Sequence, residues 1–180
     1  MKKEIRICGF GGQGVILAGF IIGKAASVYL DYQAVQSQSY GPEARGGAAR
    51  SEVIISDEKI GYPRPLSVDC LLAMSQESFD SYRGDIRDDT VIILDPDLVT
   101  KHDIGRPIHK VSGQQIAEDL GNKIVTNIVM VGAFASIYDL LSIEAVRKSV
   151  INSVPERFKK LNAKAFEKGV EAGKDALKKK

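Results

Sequence analysis

Along Lys3–Phe10 (KEIRICGF) polar and apolar residues alternate and then become apolar, the pattern of a first strand entering a sheet. Residues 14–30 carry apolar positions on nearly every side, which predicts a helix buried between the sheet and another layer. QAVQSQS (33–39) reads as a short strand, YGPEARGGAAR as a turn-rich connection, and SEVIIS (51–56) as a clear strand. VDCLLAMS (68–75) and TVIILDPD (90–97) are continuous apolar runs bounded by polar turns, as parallel strands covered on both faces are. A short helix near 76–83 lies between them. The pattern further predicts strands at IHKVS (108–112) and KIVTN (123–127), with a helix at 113–120 between them. It predicts helices at 128–141, capped by Thr126-Asn127, and at 143–153, capped by Ser142 with Glu144 in its first turn. Pro155 then opens a last helix, at a position where a missing N–H costs nothing.

Strands alternating with helices give an α/β fold, a three-layer sandwich around a mainly parallel, Rossmann-like sheet. We divide the chain into a domain over 1–154 and a basic C-terminal helix over 155–180. The division follows charge. Residues 155–180 hold nine Lys/Arg against four Asp/Glu, whereas the whole chain is only +2. That end is read as solvated helix rather than a nucleic-acid arm. Cys8 and Cys70 sit in apolar strands and read as small buried hydrophobes, and two thiols are too few for an iron–sulfur cluster. Met1-Lys2-Lys3 leads straight into a strand and VILAGFII is too short to span a bilayer, so a cytoplasmic protein with no membrane partner is expected.

Two stretches carry candidate chemistry. GFGGQG (9–14) places Gly9, Gly11 and Gly14 in a G-x-G-x-x-G spacing between a strand and a helix, with Gly12 and Gln13 inside it. Glycines let the backbone approach a ligand, and the N–H groups opening a helix attract an anion. Tight strand–helix packing explains the same glycines. A nicotinamide cofactor would need an acid at the end of the second strand, where Ser37, Gln38 and Ser39 stand instead. No Walker lysine motif is present, and His102 and His109 lack metal-ligand spacing. Ser75 and Asp95-Pro96-Asp97 read as caps and turn formers before nucleophile or acid–base pair. The second stretch, QSQSYGPEARGGAARSE (36–52), sets Tyr40, Glu43, Arg45 and Arg50 around a Gly-Pro turn and the Gly46-Gly47 pair. Ordering such a loop costs backbone entropy, and Arg and Tyr are residues that interfaces favour, so it reads as a docking loop.

GFGGQGVILAG, QSQSYGPEARGG, VDCLLAMSQESFDSY and TNIVMVGAF together resemble the gamma subunit of 2-oxoacid:ferredoxin oxidoreductases, over roughly Lys3 to Val154. The QSQSYGPEARGG form is closer to the 2-oxoglutarate type than to the pyruvate type. The resemblance implies a subunit of an enzyme that oxidises a 2-oxoacid with coenzyme A, releases CO2 and acyl-CoA (succinyl-CoA for 2-oxoglutarate) and reduces ferredoxin. Thiamine diphosphate, Mg and [4Fe-4S] clusters would then be held by alpha, beta and in some cases delta partner subunits. This chain alone would bind no cofactor and be inactive. On that reading Gly9, Gly11, Gly12, Gln13 and Gly14 help bind the phosphates of coenzyme A, with Arg45 as counter-charge. Tyr40, Glu43, Arg45, Gly46, Gly47 and Arg50 form the subunit interface, and an exposed docking surface would favour a homodimer when the chain is isolated. The rival from another class is a stand-alone NAD(P)- or flavin-dependent reductase.

Overall fold

The first strand, β1 (Lys2–Phe10), takes the centre of the sheet because its side chains are buried to both sides. Ile5 and Ile7 point into one core and Cys8 into a second. The computed structural model describes residues 1–40, 47–63 and 65–178. The remaining elements are α1 (Val15–Tyr29), β2 (Gln33–Tyr40), β3 (Ala48–Ser56), β4 (Val68–Ala73), α2 (Gln76–Tyr82) and β5 (Ile86–Leu94). They are followed by β6 (His109–Lys110), α3 (Gly113–Asp119), α4 (Thr126–Ile137), α5 (Ile143–Ile151) and α6 (Lys159–Lys178).

The strand order is β2-β3-β1-β4-β5-β6. β4, β5 and β6 continue parallel from β1, while β3 runs antiparallel between β1 and β2. The α/β sandwich stands, with a mixed sheet in which three of the five pairings are parallel. Helix α1 and the later helices cover one face, over Ile5, Ile7, Val53, Ile55, Cys70, Leu72 and Ile93. On the other face Phe79 of α2 and Val99 close over Cys8, Leu71, Ala73, Ile92 and Leu94. A fully buried Leu, Ile or Phe of this kind stabilises by roughly 1.5–3 kcal/mol.

KIVTN is not a strand. Lys123–Val125 forms a 3₁₀ turn, capped by the Asn122 side chain accepting from the Ile124 N–H, and Thr126 continues directly into α4. The β-branched residues there satisfy two different neighbours rather than two faces of a pleat: Val125 is buried and Ile124 is 76% exposed. Nor do Thr126 and Asn127 cap the following helix. Val125 takes the cap position without a side-chain bond, and Asn127 reaches elsewhere. The strand expected at 108–112 shrinks to two residues, paired Ile93↔His109 and Leu94↔Lys110. Ser142 caps α5 by accepting from the Ala145 N–H, as expected. Pro155 opens a second 3₁₀ turn, Glu156–Phe158, before α6 begins. Ala165, Phe166 and Val170 of α6 belong to the same core as α4. The two helices cross so closely that a Cβ on Gly169 would lie 1.9 Å from the Val129 carbonyl oxygen.

Candidate functional site

At the carboxyl end of the sheet, β1 and β4 lie side by side, Cys8 opposite Ala73. The chain leaves β1 through α1 on one face and leaves β4 through α2 on the other. Adjacent parallel strands whose connections diverge in this way open a crevice between them, where open α/β sheets place their ligands. The GFGGQG loop stands at this crevice.

Its backbone is tightly organised. The Gln13 N–H donates to the Phe10 carbonyl at 3.1 Å, and Gly12 and Gly14 take φ of 99° and 73°, the left-handed region that only glycine adopts freely. The Gln13 side chain staples the turn across the crevice. Its Oε1 accepts from the Phe10 N–H at 2.6 Å and its Nε2 donates to the Met74 carbonyl at 2.9 Å. Both atoms are therefore spent on backbone, and Gln13 shapes the loop. Gly9 packs under that amide, since a Cβ there would come 2.5 Å from Gln13 Oε1. Gly11 donates its N–H to the Gly47 carbonyl at 3.1 Å. Gly14 packs on Asn127, whose Nδ2 donates back to the Gly14 carbonyl at 3.2 Å, and a Cβ would lie 2.3 Å from that nitrogen. Gly12 differs from the other four residues. A Cβ on it would meet nothing within 4 Å, so it faces open space at the head of α1.

Two concavities flank Gly12. One, of about 360 Å³, is mainly apolar and runs between Leu17, Ile124, Val154, Phe158 and Leu161. The other, of about 220 Å³, is more polar and is bordered by Gln13, Gln114, Lys123 and Thr126. The Lys123 ammonium pairs with Glu118 at 3.0 Å. A lysine and polar side chains on one side of Gly12, and on the other an apolar trough that the head of α1 borders through Gly14 and Leu17, suit a ligand with an anionic group joined to a flexible apolar arm. Ile124 and Phe158, 76% and 40% exposed, belong to this site and were not legible as such, because the 123–127 strand reading gave Ile124 no reason to face outward.

The second unusual stretch reaches the same end of the sheet. β2 and β3 pair antiparallel up to Tyr40↔Ala49, and Gly47 then bonds the glycine loop. Glu43, Arg45 and Gly46 lie outside the described residues. Arg50 is half-buried, with its guanidinium carbon 5.0 Å from the Tyr82 ring centre and its Nε 3.8 Å from Glu52. Glu52 is already held by Arg6, which donates from Nε at 2.8 Å, and Arg6 also pairs with Asp85 at 2.9 Å and bonds the Tyr82 carbonyl at 2.7 Å.

The other candidates serve the scaffold. Ser75 caps α2, and its hydroxyl is buried against Ser78 at 2.7 Å. Asp95 accepts from the N–H groups of Gln114 at 2.7 Å and Asp97 at 3.0 Å, capping α3 and its own turn, and burial pushes its carboxyl above the usual 3.8. His102 is bound to the Val99 carbonyl at 2.7 Å. Cys8 and Cys70 face opposite cores, so the two cannot join in one ligand set. Burial pushes the Cys8 thiol up to about 12, and raises that of Cys70 as well. Among the described residues no group of three or more His, Cys, Asp or Glu could hold a metal ion, and no helix is long and apolar enough to cross a membrane. The residues present do not fit an iron–sulfur cluster. The dinucleotide geometry fails as well: the strand following α1 is separated from β1 by β3, about 10 Å away at the usual strand spacing. A ribose anchor at the end of that strand would stand too far from the glycine loop.

Comparison with known proteins agrees with this architecture. Residues 4–172 match the pyruvate ferredoxin/flavodoxin oxidoreductase family. The chain is similar to the 2-oxoglutarate synthase subunit KorC of Methanocaldococcus jannaschii, at 45% identity over 97% of this chain and 96% of the relative. Its fold is similar to the crystal structure of a keto/oxoacid ferredoxin oxidoreductase gamma subunit from Geobacter sulfurreducens, with a TM-score of 0.88 and 45% identity over 98% of both chains. A 2-oxoglutarate:ferredoxin oxidoreductase from Magnetococcus marinus, with 2-oxoglutarate, coenzyme A and succinyl-CoA bound, shares the fold at a TM-score of 0.85 and 23% identity. There 97% of this chain covers 31% of the other.

Proposed function

The chain belongs to the pyruvate ferredoxin/flavodoxin oxidoreductase family, and from that premise we propose that it is the gamma subunit of a 2-oxoglutarate:ferredoxin oxidoreductase. In that role it supports the CoA-dependent oxidative decarboxylation of 2-oxoglutarate to succinyl-CoA and CO2, with electrons passing to ferredoxin. One observation carries the reading: this chain and the KorC relative align over nearly their full lengths, with the glycine loop and the docking stretch meeting at one sheet end. Thiamine diphosphate with Mg and the [4Fe-4S] clusters are assigned to alpha, beta or delta partners. The cysteines of this chain, split between two cores, support that division.

Within the site, coenzyme A enters as substrate. Its phosphates lie over Gly12 and the head of α1, which has no side-chain cap, with Lys123 nearby, and its apolar arm follows the trough past Ile124 and Phe158. Gly9, Gly11, Gln13 and Gly14 hold the loop in the shape this requires, and Arg45 supplies a further counter-charge. Tyr40, Glu43, Arg45, Gly46, Gly47 and Arg50 face the catalytic subunits. The test is anaerobic affinity purification of the tagged chain with the catalytic subunits of its host, followed by an assay of 2-oxoglutarate- and CoA-dependent ferredoxin reduction. Co-purification with activity that is lost when this chain is omitted is expected. A complex that works equally well without it overturns the reading.

A further inference from the structure

Among the described residues β2 is the outer strand of the sheet and is paired along one edge only. Its sequence, QAVQSQSY, contains no charge, no Pro and no Gly. Free edges are normally protected by such residues, because a row of unpaired N–H and C=O groups is a template for another strand. Eight residues at about 3.4 Å each present an edge about 27 Å long, with roughly every second residue turning its backbone groups outward.

The adjoining helix face is also uncovered. Phe20 and Val28 of α1 are 47% and 61% exposed, and a cavity of about 340 Å³ runs between them and Ala34 and Gln36 of β2. Among the described residues Lys24 is the one ionic side chain that borders it. Its ammonium donates to the Asn152 carbonyl at 2.8 Å and the Ser153 hydroxyl at 3.3 Å and lies 5.7 Å from the Phe20 ring centre, so the one cation is held at the end of the groove and the rest of the lining is neutral. An unpaired edge beside a mainly apolar groove fits an extended backbone with apolar side chains on alternate positions.

We propose that an extended, uncharged segment of the catalytic partner subunit pairs with the β2 edge and sets apolar side chains into the groove between Phe20, Val28 and Ala34. This rests on the reading of the chain as a gamma subunit. Two observations favour that occupant over a second copy. In the Magnetococcus marinus enzyme the same fold occupies 31% of a longer chain, so there it is covalently tied to further parts of the enzyme. The KorC relative is matched over 96% of its own length, which leaves no room for those parts, and a gamma subunit of that size needs a non-covalent substitute for that tie. In addition, β2 runs directly into the stretch whose Gly47 bonds the glycine loop, so a strand laid along β2 leads to the candidate site. The inserted strand would align the partner's reacting centre with the loop.

The experiment uses the complex of the full chain with its catalytic subunits. Val28→Lys and Phe20→Lys alter exposed side chains, so the variants are expected to melt like the parent. Each should weaken subunit capture at least tenfold, and hydrogen exchange at β2 amides should slow on assembly of the parent complex. If the parent chain assembles but β2 exchange is unchanged and both variants assemble normally, this inference fails while the gamma-subunit reading survives. If the parent chain does not bind the catalytic subunits at all, that reading fails and takes the inference with it. A free chain that dimerises through this face, with β2 protection identical in dimer and complex and sensitive to the two lysines, assigns the edge to a second copy and overturns the proposal.

Discussion

The Gly11 N–H donates to the Gly47 carbonyl at 3.1 Å. This single bond joins two stretches 36 positions apart in number, each unusual in the sequence for a different reason. It forms because β1 and β3 pair antiparallel to their ends, Phe10 opposite Ala48, so the residues just beyond the ladder stay in register. The glycine loop and the end of the second stretch at Gly47 are thereby held together at the head of the β1–β3 ladder.

Gly12 is the position where ligand and scaffold effects separate most cleanly. A side chain there meets nothing, but its φ of 99° strains any L residue by about 1–2 kcal/mol. Gly12→Ala should therefore cost some stability and leave the KM for coenzyme A within a few-fold. Gly12→Asp, with equal strain and an added negative charge, should raise that KM at least tenfold and leave the KM for 2-oxoglutarate unchanged. Steady-state kinetics of the two complexes decides; equal CoA constants would remove the phosphate role.

Gln13 makes two bonds that hold β1 to β4 across the crevice. Gln13→Leu removes an exposed bond to the Phe10 N–H and a part-buried one to the Met74 C=O, at about 0.5–1.5 kcal/mol for each bond lost. Urea denaturation should show a lowered midpoint. The same variant in the complex should lose CoA affinity through a loosened loop.

Gly169 tests whether α6 is integral to the fold. Its missing Cβ would sit 1.9 Å from the Val129 carbonyl oxygen and 2.8 Å from the Val129 carbonyl carbon, both backbone atoms of α4 that cannot swing aside. Gly169→Ala must push the helices apart and should destabilise by more than 3 kcal/mol, above the usual 1–3 kcal/mol of core overpacking. Thermal melting should show a large drop or insoluble expression, whereas Lys174→Ala on the exposed side of the same helix should melt like the parent.

Asp95 gives a pH signature of definite sign. Burial holds its carboxyl above the ordinary 3.8, so the folded state favours the protonated form more than the unfolded chain does. Its contribution is fully present below 3.8 and is lost as pH rises through the higher folded value. The stability difference between parent and Asp95→Asn should therefore shift against the parent as pH rises from 3.8 upward. Chemical denaturation at several pH values measures it, and a shift in the other direction would contradict the burial argument.

Cys8 and Cys70 should be silent as thiols. Both are fully buried and both are raised far above neutral pH by burial. The folded chain at pH 8 should show no rapid reaction with a thiol-specific disulfide reagent, and two equivalents should react once the chain is unfolded. Reaction of either thiol in the native state would show that one of the two cores opens readily.

The glycine loop, the buried helix behind it, the Ser142 cap and the apolar strands were all legible in the chain, because each rests on a local period or a single-residue preference. KIVTN was misread for the same reason. Its alternation is real, yet Val125 enters the core while Ile124 stays out beside Gly12, which no local window can distinguish from a strand. Of the candidate residues, the sequence marked the five loop positions together. Their division into four that shape the turn and one that faces outward depends on Asn127, Met74 and Gly47, all remote along the chain.

Pattern and composition thus determined most of the strands and helices, that α1 opens behind a glycine turn, and that the two thiols would be buried. Those properties follow from side-chain period, backbone freedom and hydrophobicity, all of which act over a few residues. Tertiary structure alone decided that β3 would slip antiparallel between β1 and β2, that β2 would be left as an uncharged edge, and that the two unusual stretches would touch. Pairing partners are chosen by register and packing between distant segments, and no stretch of the chain carries that choice by itself.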